Sequence, residues 1–203
     1  GCGRAPEHTA LAEVAGENPP PTHLDDFDGI AGRGTLRLAR LAWEGYDTLP
    51  RQGLDVGRYR RLAEEFAEVN DLEVDWQSYA GVEALLRAVV DGRADVAVAH
   101  VTVTDARKAE VAFTIPLTHT REWLVGRPGD LPPRSIGVPA GTAYADSLAA
   151  VAGAEHVLLE PTAAPDDAIA LIRAGRIEAT ILDESIAREL LAANSDVVRR
   201  RVL

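Results

Sequence analysis

The sequence predicts an α/β protein of two lobes, in which mainly parallel sheets are flanked by helices and a cleft lies between the lobes. Three observations predict this fold. Segments that alternate apolar and polar residues, as strands do, take turns with segments of helical periodicity from residue 35 onward. The order of the first half is repeated in the second. A chain of 203 residues with 46% apolar side chains is also long enough for a proper core.

The first half has the order β-α-β-α-β, which is typical of a parallel sheet covered by helices. In its first helix, Tyr59, Leu62 and Phe66 lie on one face at helical spacing. We expect Gly92 to end the second helix as a C-cap. The predicted elements are a strand at 35–41, a helix at 57–68, a strand at 72–76, a helix at 81–91 and a strand at 95–99.

The second half continues this alternation to the end of the sequence. Its predicted strands are 122–125, 135–138, 156–159, 178–182 and 197–202, and its predicted helices are 141–152, 165–174 and 184–193. We assign residues 33–118, together with about 185–203, to the first lobe and residues 119–184 to the second. Ligands of open α/β sheets bind at the carboxyl ends of strands, which predicts a ligand in the cleft.

Charge and composition exclude several classes of function. A net charge of −11 and a pI near 4.9 argue against a nucleic-acid binder, which needs clustered Lys and Arg. No apolar run approaches the roughly 20 residues of a membrane-spanning helix. The five His residues lack the short spacings of zinc sites, and no phosphate-binding Gly-rich loop follows a strand. We therefore predict no metal and no other cofactor.

Residues 1–32 are expected to form a tether and lead-in that ends in a short helical turn at 24–30. Cys2 is the single cysteine, and Gly1-Cys2-Gly3 resembles the end of a bacterial lipobox, which would make Cys2 a lipidation site. The alternative is an incidental free thiol after a tag-derived glycine. The lipoprotein interpretation predicts a periplasmic or cell-envelope protein, held to the membrane, for example the outer membrane, only by a lipid anchor.

The segment most informative about chemistry is a buried strand that runs into a Thr-rich turn with Arg107 three residues after Thr104. Hydroxyl groups, free backbone N–H groups and a guanidinium fork at the end of a strand make a good carboxylate receptor. The alternative is a helix that begins at Thr104 as its N-cap and leaves Arg107 in solvent. Composition alone does not separate these two readings.

The same run is similar to the signature of the family 3 periplasmic solute-binding proteins, G-x-T-x-T-x-x-R-x-x-x-V-x-F-(S/T)-x-P-Y. Leu117 stands in place of the final aromatic residue. The matching residues are Thr102, Thr104, Arg107, Val111, Phe113, Thr114 and Pro116. The similarity spans about residues 30–203 and implies a type 2 periplasmic-binding-protein-like fold. Details such as Leu49-Pro50-Arg51 most resemble the N-terminal module of membrane-bound lytic murein transglycosylase F.

The resemblance implies roles for four residues of this sequence. Arg107 matches the arginine that grips a ligand α-carboxylate, and Thr102 matches a neighbouring donor. Thr142 matches a second-lobe position that also donates to the carboxylate. Asp183 matches the second-lobe carboxylate that receives a ligand ammonium. The implied ligand is a small zwitterion, either an amino acid or a peptide fragment of peptidoglycan, and the implied motion is hinge closure of the lobes.

The sequence departs from the family pattern at His100, at Ala143, which replaces a frequent second hydroxyl residue, and in the loop around Trp43 and Tyr46. His100 stands where amino-acid binders carry a small residue, and it is either a cleft residue or a histidine satisfied by backbone at a strand end. Trp43 and Tyr46 are candidates for an aromatic wall against a ligand side chain, although such aromatics more often belong to the core.

We therefore expect a non-catalytic, monomeric ligand-binding module, the regulatory part of a transglycosylase F-like protein with its murein-cleaving domain outside this sequence. Glu184-Ser185 resembles the Glu-Ser of lytic transglycosylases, but the Gly-Leu-Met-Gln-type segment expected after it is absent. One alternative is a free-standing amino-acid-binding lipoprotein that feeds an ABC permease. Another is a cyclohexadienyl dehydratase-like lyase with His100 or Glu184 as general acid. A third is a module that only contacts a partner protein.

Overall fold

The structure, a computed structural model, describes residues 26–44, 56–129, 132–149, 151–161 and 163–203. Its helices are α1 (Phe27–Arg33), α2 (Val56–Val69), α3 (Val82–Val90), α4 (Asp105–Lys108), α5 (Tyr144–Leu148), α6 (Pro165–Arg173) and α7 (Glu184–Ala193). Its strands are β1 (Thr35–Leu41), β2 (Glu73–Tyr79), β3 (Val96–Ala97), β4 (Glu122–Gly126), β5 (Ser135–Pro139), β6 (Glu155–Leu159), β7 (Ala179–Asp183) and β8 (Val198–Val202). A short 3-10 turn, Ala42–Glu44, follows β1.

The first lobe is built on a three-stranded parallel sheet in the order β2-β1-β3. Successive side chains of a strand point to opposite faces of the sheet, and helices cover both faces of β1. Leu36 and Leu38 pack in a cluster with Ala67 of α2, whereas Leu41 packs with Leu85 of α3. Burial on both faces fixes the position of β1, whose carboxyl end leads directly to the cleft.

An ionic cluster ties β3 to the rest of the first lobe. Asp95, which precedes β3, accepts hydrogen bonds of 2.6 Å from Nη2 of Arg33 and 2.6 Å from Nη2 of Arg37. Burial alone would raise the pKa of Asp95, but its hydrogen bonds with Arg37 and Arg33 hold that pKa below its usual range. The strand end that leads to His100 is therefore anchored by charge as well as by backbone pairing.

The second lobe contains a mixed five-stranded sheet in the order β6-β5-β7-β4-β8. β5 pairs in parallel with β6 and β7, whereas β4 pairs antiparallel with β7 and β8. One side of this sheet packs against α6 and α7 in a cluster that includes Trp123, Ile169 and Ile186. Every residue of β7 is buried, so this strand forms the centre of the lobe.

Most predicted elements are present with bounds shifted by a few residues, and two are shorter than predicted. The strand predicted at 95–99 is only β3, and the helix predicted at 141–152 is only α5. The short helical turn predicted at 24–30 is α1, which begins at Phe27 and packs on the first lobe through Ile30.

The assignment of residues 185–203 to the first lobe is wrong. α7 follows β7 without a crossover, and Ile186 and Leu190 are buried beside Trp123 in the core of the second lobe. β8 then completes the same sheet by pairing with β4. The apolar face of α7 therefore packs on the second lobe, to which the preceding strand β7 also belongs. Among the described elements, β1–β3 form the sheet of the first lobe and β4–β8 form the sheet of the second.

The two lobes touch each other along the cleft. Trp43 packs against buried clusters of both lobes. Gly81 at the start of α3 lies so close to Pro161 that an added Cβ would come within 2.8 Å of the Pro161 carbonyl oxygen. These contacts join the two lobes along the cleft.

Across the described part of the chain, no helix has the length and apolarity to cross a membrane.

Candidate functional site

The cleft between the lobes spans about 690 Å³ of space outside the protein atoms, a volume that includes open solvent at its mouth. Most of its wall is apolar and comes from the second lobe, with Leu182 and Ile186 among its residues. Its polar lining residues are His100, Thr102, Arg107, Thr142, Tyr144 and Thr180. A mostly apolar concave site with a few convergent polar groups is typical of small-molecule binding.

Arg107 reaches from the first lobe to the second. Its Nη1 donates a hydrogen bond of 2.9 Å to the carbonyl of Thr102, and its Nη2 donates one of 3.0 Å to the carbonyl of Gly141. Burial lowers the pKa of the guanidinium, and the nearby Asp146 opposes this effect. Among the described residues, no carboxylate forms an ion pair with Arg107.

The Thr-rich turn contains the predicted N-cap, but Arg107 lines the cleft instead of lying free in solvent. Thr104 is the N-cap of α4, and its Oγ1 accepts a hydrogen bond of 3.3 Å from the backbone N–H of Arg107. This cap sets the first turn of α4, and that turn directs the side chain of Arg107 toward the cleft. Thr102 is exposed in the lining, so the structure brings Thr102 and Arg107 together.

Thr142 lines the opposite wall, but its hydroxyl is already engaged. Its Oγ1 donates a hydrogen bond of 2.7 Å to the carbonyl of Pro139 at the end of β5. Gly141 beside it has a φ of +74°, a conformation that glycine adopts without steric cost. This turn presents the Gly141 carbonyl to Arg107.

His100 lines the cleft and is held by a buried carboxylate. Oε1 of Glu44 accepts hydrogen bonds of 2.8 Å from the backbone N–H of His100 and 3.1 Å from its Nδ1. The His100 ring also lies edge-on to Tyr59, with 4.8 Å between ring centroids. His100 therefore lines the cleft, and its ring is held by a side-chain carboxylate instead of by backbone.

Trp43 is placed in the cleft wall, whereas two other predicted residues are not described. Trp43 lines the cleft and packs on both lobes, so it serves the core and the site at once. Tyr46, the candidate second aromatic, and Cys2, the candidate lipidation site, lie outside the described residues.

Asp183 ends β7 and lies directly beside the cleft lining. It is 7% exposed, its backbone N–H donates to the Tyr144 hydroxyl at 3.3 Å, and its neighbour Leu182 lines the cleft instead. Its buried Oδ1 has no hydrogen-bond partner within the described ranges. Burial, followed by the repulsion of Glu122, raises the pKa of Asp183 to about 6, although His100 and Tyr144 partly oppose this shift.

Sequence reasoning missed Tyr144 and Thr180. Burial is the main cause that raises the pKa of the Tyr144 phenol, and the negative charge of Asp183 raises it further. Tyr144 is therefore a neutral hydroxyl. Thr180 is fully buried on β7, lines the cleft, and its Oγ1 has no partner in the described part of the chain. The alternation of β7 places Thr180 and Leu182 on one face and could have indicated Thr180.

The two general acids considered for a lyase, His100 and Glu184, lie in different surroundings. No carboxylate is among the described lining residues of the cleft, and Glu184 instead pairs with Arg188 at 2.9 Å. Of the two general acids considered for a lyase, only His100 lines the cleft. The described ranges also contain no group of three or more His, Cys, Asp or Glu residues that could hold a metal ion.

The sequence and the fold both have known relatives. Residues 48–132 match the family model "Bacterial extracellular solute-binding proteins, family 3". The "Probable histidine-binding protein" of Campylobacter jejuni is 25% identical over 145 residues, which cover 68% of this chain and 55% of that protein. The "Membrane-bound lytic murein transglycosylase F" of Maricaulis maris is 30% identical over 95% of this chain and 43% of its own length. The chain therefore spans about half the length of these curated relatives.

The arginine-bound form of truncated ArgBP from T. maritima has the same fold. It superposes with a TM-score of 0.69 at 24% identity, covering 87% of this chain and 86% of that one. This likeness confirms the predicted two-lobed α/β architecture. The family-model match over residues 48–132 and the curated relatives support the resemblance to the solute-binding proteins of family 3.

Proposed function

We propose that this chain is a non-catalytic module that binds a small, carboxylate-bearing, amino-acid-like or muropeptide ligand in the cleft between its lobes. The observation that carries the proposal is the position of Arg107. Its guanidinium lies between the lobes and bonds only to backbone carbonyls among the described residues, so its charge is not neutralised by an ion pair. A ligand carboxylate accepts two parallel hydrogen bonds from such a fork.

Thr102 and Trp43 complete this proposed site. Thr102 offers an exposed hydroxyl beside the guanidinium, and Trp43 offers an apolar surface that reaches both lobes. Thr142 contributes through the turn that it stabilises, because its hydroxyl proton already goes to Pro139. A ligand held by both lobes favours the closed arrangement over an open one.

The comparisons support an amino-acid-like ligand in the cell envelope. One relative is named as a histidine-binding protein, and the structural neighbour holds arginine. A relative that aligns with 95% of this chain is a membrane-bound murein transglycosylase. We therefore infer that the module belongs to a transglycosylase F-like protein, senses an amino acid or peptidoglycan peptide, and regulates a murein-cleaving domain.

Thermal unfolding against a ligand panel tests this function. The panel contains free amino acids, dipeptides and stem-peptide fragments. A ligand that binds only the native state stabilises it by about 2.7 kcal/mol at a hundredfold excess over its Kd, which moves the Tm by several degrees. Arg107→Ala is expected to abolish the shift. Lys108→Ala is the matched control, because Lys108 lies on the same helix and pairs with Asp105 instead.

A shift that survives in Arg107→Ala would overturn the proposed site, and no shift with any compound would overturn ligand binding itself. The second outcome would favour a module that only contacts a partner protein.

A second candidate is a free-standing binding protein that serves an ABC permease, favoured by the histidine-binding relative. The two candidates differ in ligand size and genetic context. Binding of free amino acids but not stem peptides, with permease and ATPase genes alongside, would favour the importer. Binding of stem peptides would favour the murein-sensing module.

A further inference from the structure

Asp183 carries a buried carboxyl group at the border between the second lobe and the cleft. It is the last residue of β7, and the residue before it, Leu182, lines the cleft. Asp183 is only 7% exposed, and its Oδ1 makes no hydrogen bond with any residue that the structure describes. A buried, ionised carboxyl group needs hydrogen bonds or a nearby positive charge. The described residues therefore leave the ionised form of Asp183 poorly compensated.

A second carboxylate faces Asp183 from the neighbouring strand. Glu122, the first residue of β4, is the register partner of Asp183 in the antiparallel pair of β4 and β7. Directly opposite residues of such a pair lie on the same face of the sheet, with Cβ atoms about 4.5–5.5 Å apart, and like charges there repel each other. Burial, followed by this repulsion, raises the pKa of Asp183 to about 6.

Two residues of the cleft wall also act on Asp183. His100 of the first lobe lowers its pKa electrostatically, and Tyr144 of α5 lowers it through a hydrogen bond, but neither effect cancels the increase. Both residues line the cleft, so the Asp183 carboxyl group lies within reach of charges there. On α7, the charge of Glu184 is paired with Arg188 at 2.9 Å. A cation bound in the cleft would therefore stabilise the ionised form of Asp183.

We propose that an amino group of the ligand and a proton compete for Asp183, so that the cleft releases its ligand as the surroundings become acidic. This inference rests on the proposed function, in which Arg107 holds the carboxylate of an amino-acid-like ligand. When the ligand binds to protein that carries the proton, the O–H bond of Asp183 breaks and the proton leaves to solvent. The ammonium group keeps all its own protons and takes the place of the one that left.

The sign of the pH dependence follows from this competition. With a pKa of about 6 in the free protein, Asp183 is ionised at pH 8 and about nine-tenths protonated at pH 5. Because only the ionised form pairs with an ammonium group, the apparent Kd increases by the inverse of the ionised fraction. The affinity for an amine is therefore expected to fall about tenfold from pH 8 to pH 5. The ligand carboxylate and Arg107 keep their charges throughout this range.

Calorimetric titration of the wild type with paired probes tests the inference. Each pair is an amino acid that binds in the panel and its desamino analogue, such as L-leucine with 4-methylpentanoate or L-arginine with 5-guanidinopentanoate. The affinity for the amine is expected to rise about tenfold from pH 5 to pH 8, whereas the affinity for the analogue is not expected to rise. Titrations at pH 6 in phosphate and in imidazole, which differ in heat of ionisation, are expected to show release of about half a proton per bound amine.

Two variants identify the carboxyl group responsible. Asp183→Asn keeps the size of the side chain but exchanges no proton, so its affinity for the amine is expected to be about tenfold below wild type at pH 8 and equal at pH 5 and pH 8. Glu122→Gln removes the facing charge and is expected to move the midpoint of the affinity profile to lower pH by about 0.5 unit. Glu155→Gln, at an exposed position of β6, is the matched control and leaves the midpoint unchanged.

A measurement without ligand separates this inference from the function on which it rests. Carbon NMR of the Asp183 carboxyl group in the free protein is expected to show a titration midpoint near pH 6. A midpoint near pH 4 overturns the inference and leaves ligand binding by Arg107 intact. A pH dependence that is absent for the amine, shared by its desamino analogue or retained in Asp183→Asn also overturns it. If no member of any pair binds, the proposed function fails and this inference fails with it.

Discussion

Arg107 of the first lobe donates a hydrogen bond of 3.0 Å to the carbonyl of Gly141 in the second lobe. The contact joins the end of α4 to the turn after β5, so the residue proposed to hold the ligand also bridges the lobes. Backbone at Gly81 and Pro161 meets elsewhere along the same cleft. Ligand binding and lobe closure are therefore expected to share residues.

Gly81→Ala is expected to prevent full closure. The added Cβ would come within 2.8 Å of the Pro161 carbonyl oxygen, and separation of the lobes relieves this clash without disturbing either core. Because a ligand binds best to the closed form, its affinity is expected to fall about tenfold. Calorimetry measures the affinity, and small-angle scattering measures the radius of gyration, which is expected to increase.

Gly32→Ala is the control for this substitution, because an added Cβ at Gly32 meets no atom within 4 Å. Equal affinities for the wild type and both variants would contradict the role of the Gly81–Pro161 contact.

Asp183→Asn is expected to stabilise the protein at neutral pH but not at pH 4. The pKa of Asp183 is about 6 in the folded protein against 3.8 for an ordinary Asp, so the folded state binds this proton more tightly than the unfolded state does. Wild-type stability therefore falls as pH rises from about 4 to about 6, and the loss persists above that window. The asparagine variant is expected to gain about 2–3 kcal/mol over the wild type at pH 8.

Denaturant unfolding from pH 4 to pH 8 measures this difference. Asp75→Asn, which replaces an exposed carboxylate, controls for the loss of one charge. A stability difference between wild type and Asp183→Asn that stays constant across the pH range would show that Asp183 does not titrate in this window.

Arg37→Met is expected to destabilise the first lobe by about 1–3 kcal/mol. The Asp95 side chain is only 3% exposed, and the substitution removes one of the two arginines that form ion pairs with it. The pKa of Asp95 is lowered in the folded state, so this contribution is present above pH 4 and fades as pH falls through the folded pKa. Arg60→Met provides the comparison, since its pair with Glu64 is exposed on α2 and contributes about 0.5 kcal/mol or less. Equal losses in the two variants, measured by chemical unfolding, would rule out a special role for the buried cluster.

Thr104→Val is expected to weaken ligand binding through Arg107. The substitution keeps the side-chain volume but removes the hydroxyl that caps α4, which costs about 1 kcal/mol of local stability. Because α4 is only one turn long, its fraying also moves the guanidinium. Calorimetry is expected to show a several-fold weaker Kd, whereas Thr118→Val, at an exposed position, leaves the Kd unchanged. Wild-type affinity in Thr104→Val would show that the cap does not position Arg107.

Local patterns in the sequence predicted most of the fold. The pattern of apolar residues at 35–41 and at 178–182 predicted β1 and the central β7, because this pattern is a local property of each segment. The assignment of residues 185–203 failed because α7 shows an apolar face but not which sheet it covers. Its partners Trp123 and Val125 are distant in sequence.

The candidate site was predictable where neighbouring residues form it. Thr102, Thr104 and Arg107 lie within one turn, and the structure keeps them together. The contact of Asp183 with Tyr144, 39 residues earlier, carries no local signal in the sequence. Glu44 escaped notice for the same reason, since its partner His100 is 56 residues away.

The two backbone carbonyls that Arg107 reaches use two of the five N–H groups of its guanidinium. Within the described residues, the other three N–H groups make no hydrogen bond, so a ligand can bind to them while Arg107 keeps its bond to Gly141. A carboxylate is an ionised acceptor and makes hydrogen bonds roughly twice as strong as those of a neutral carboxamide. The cleft is therefore expected to discriminate against amidated peptides that differ from its ligand by a single terminal group.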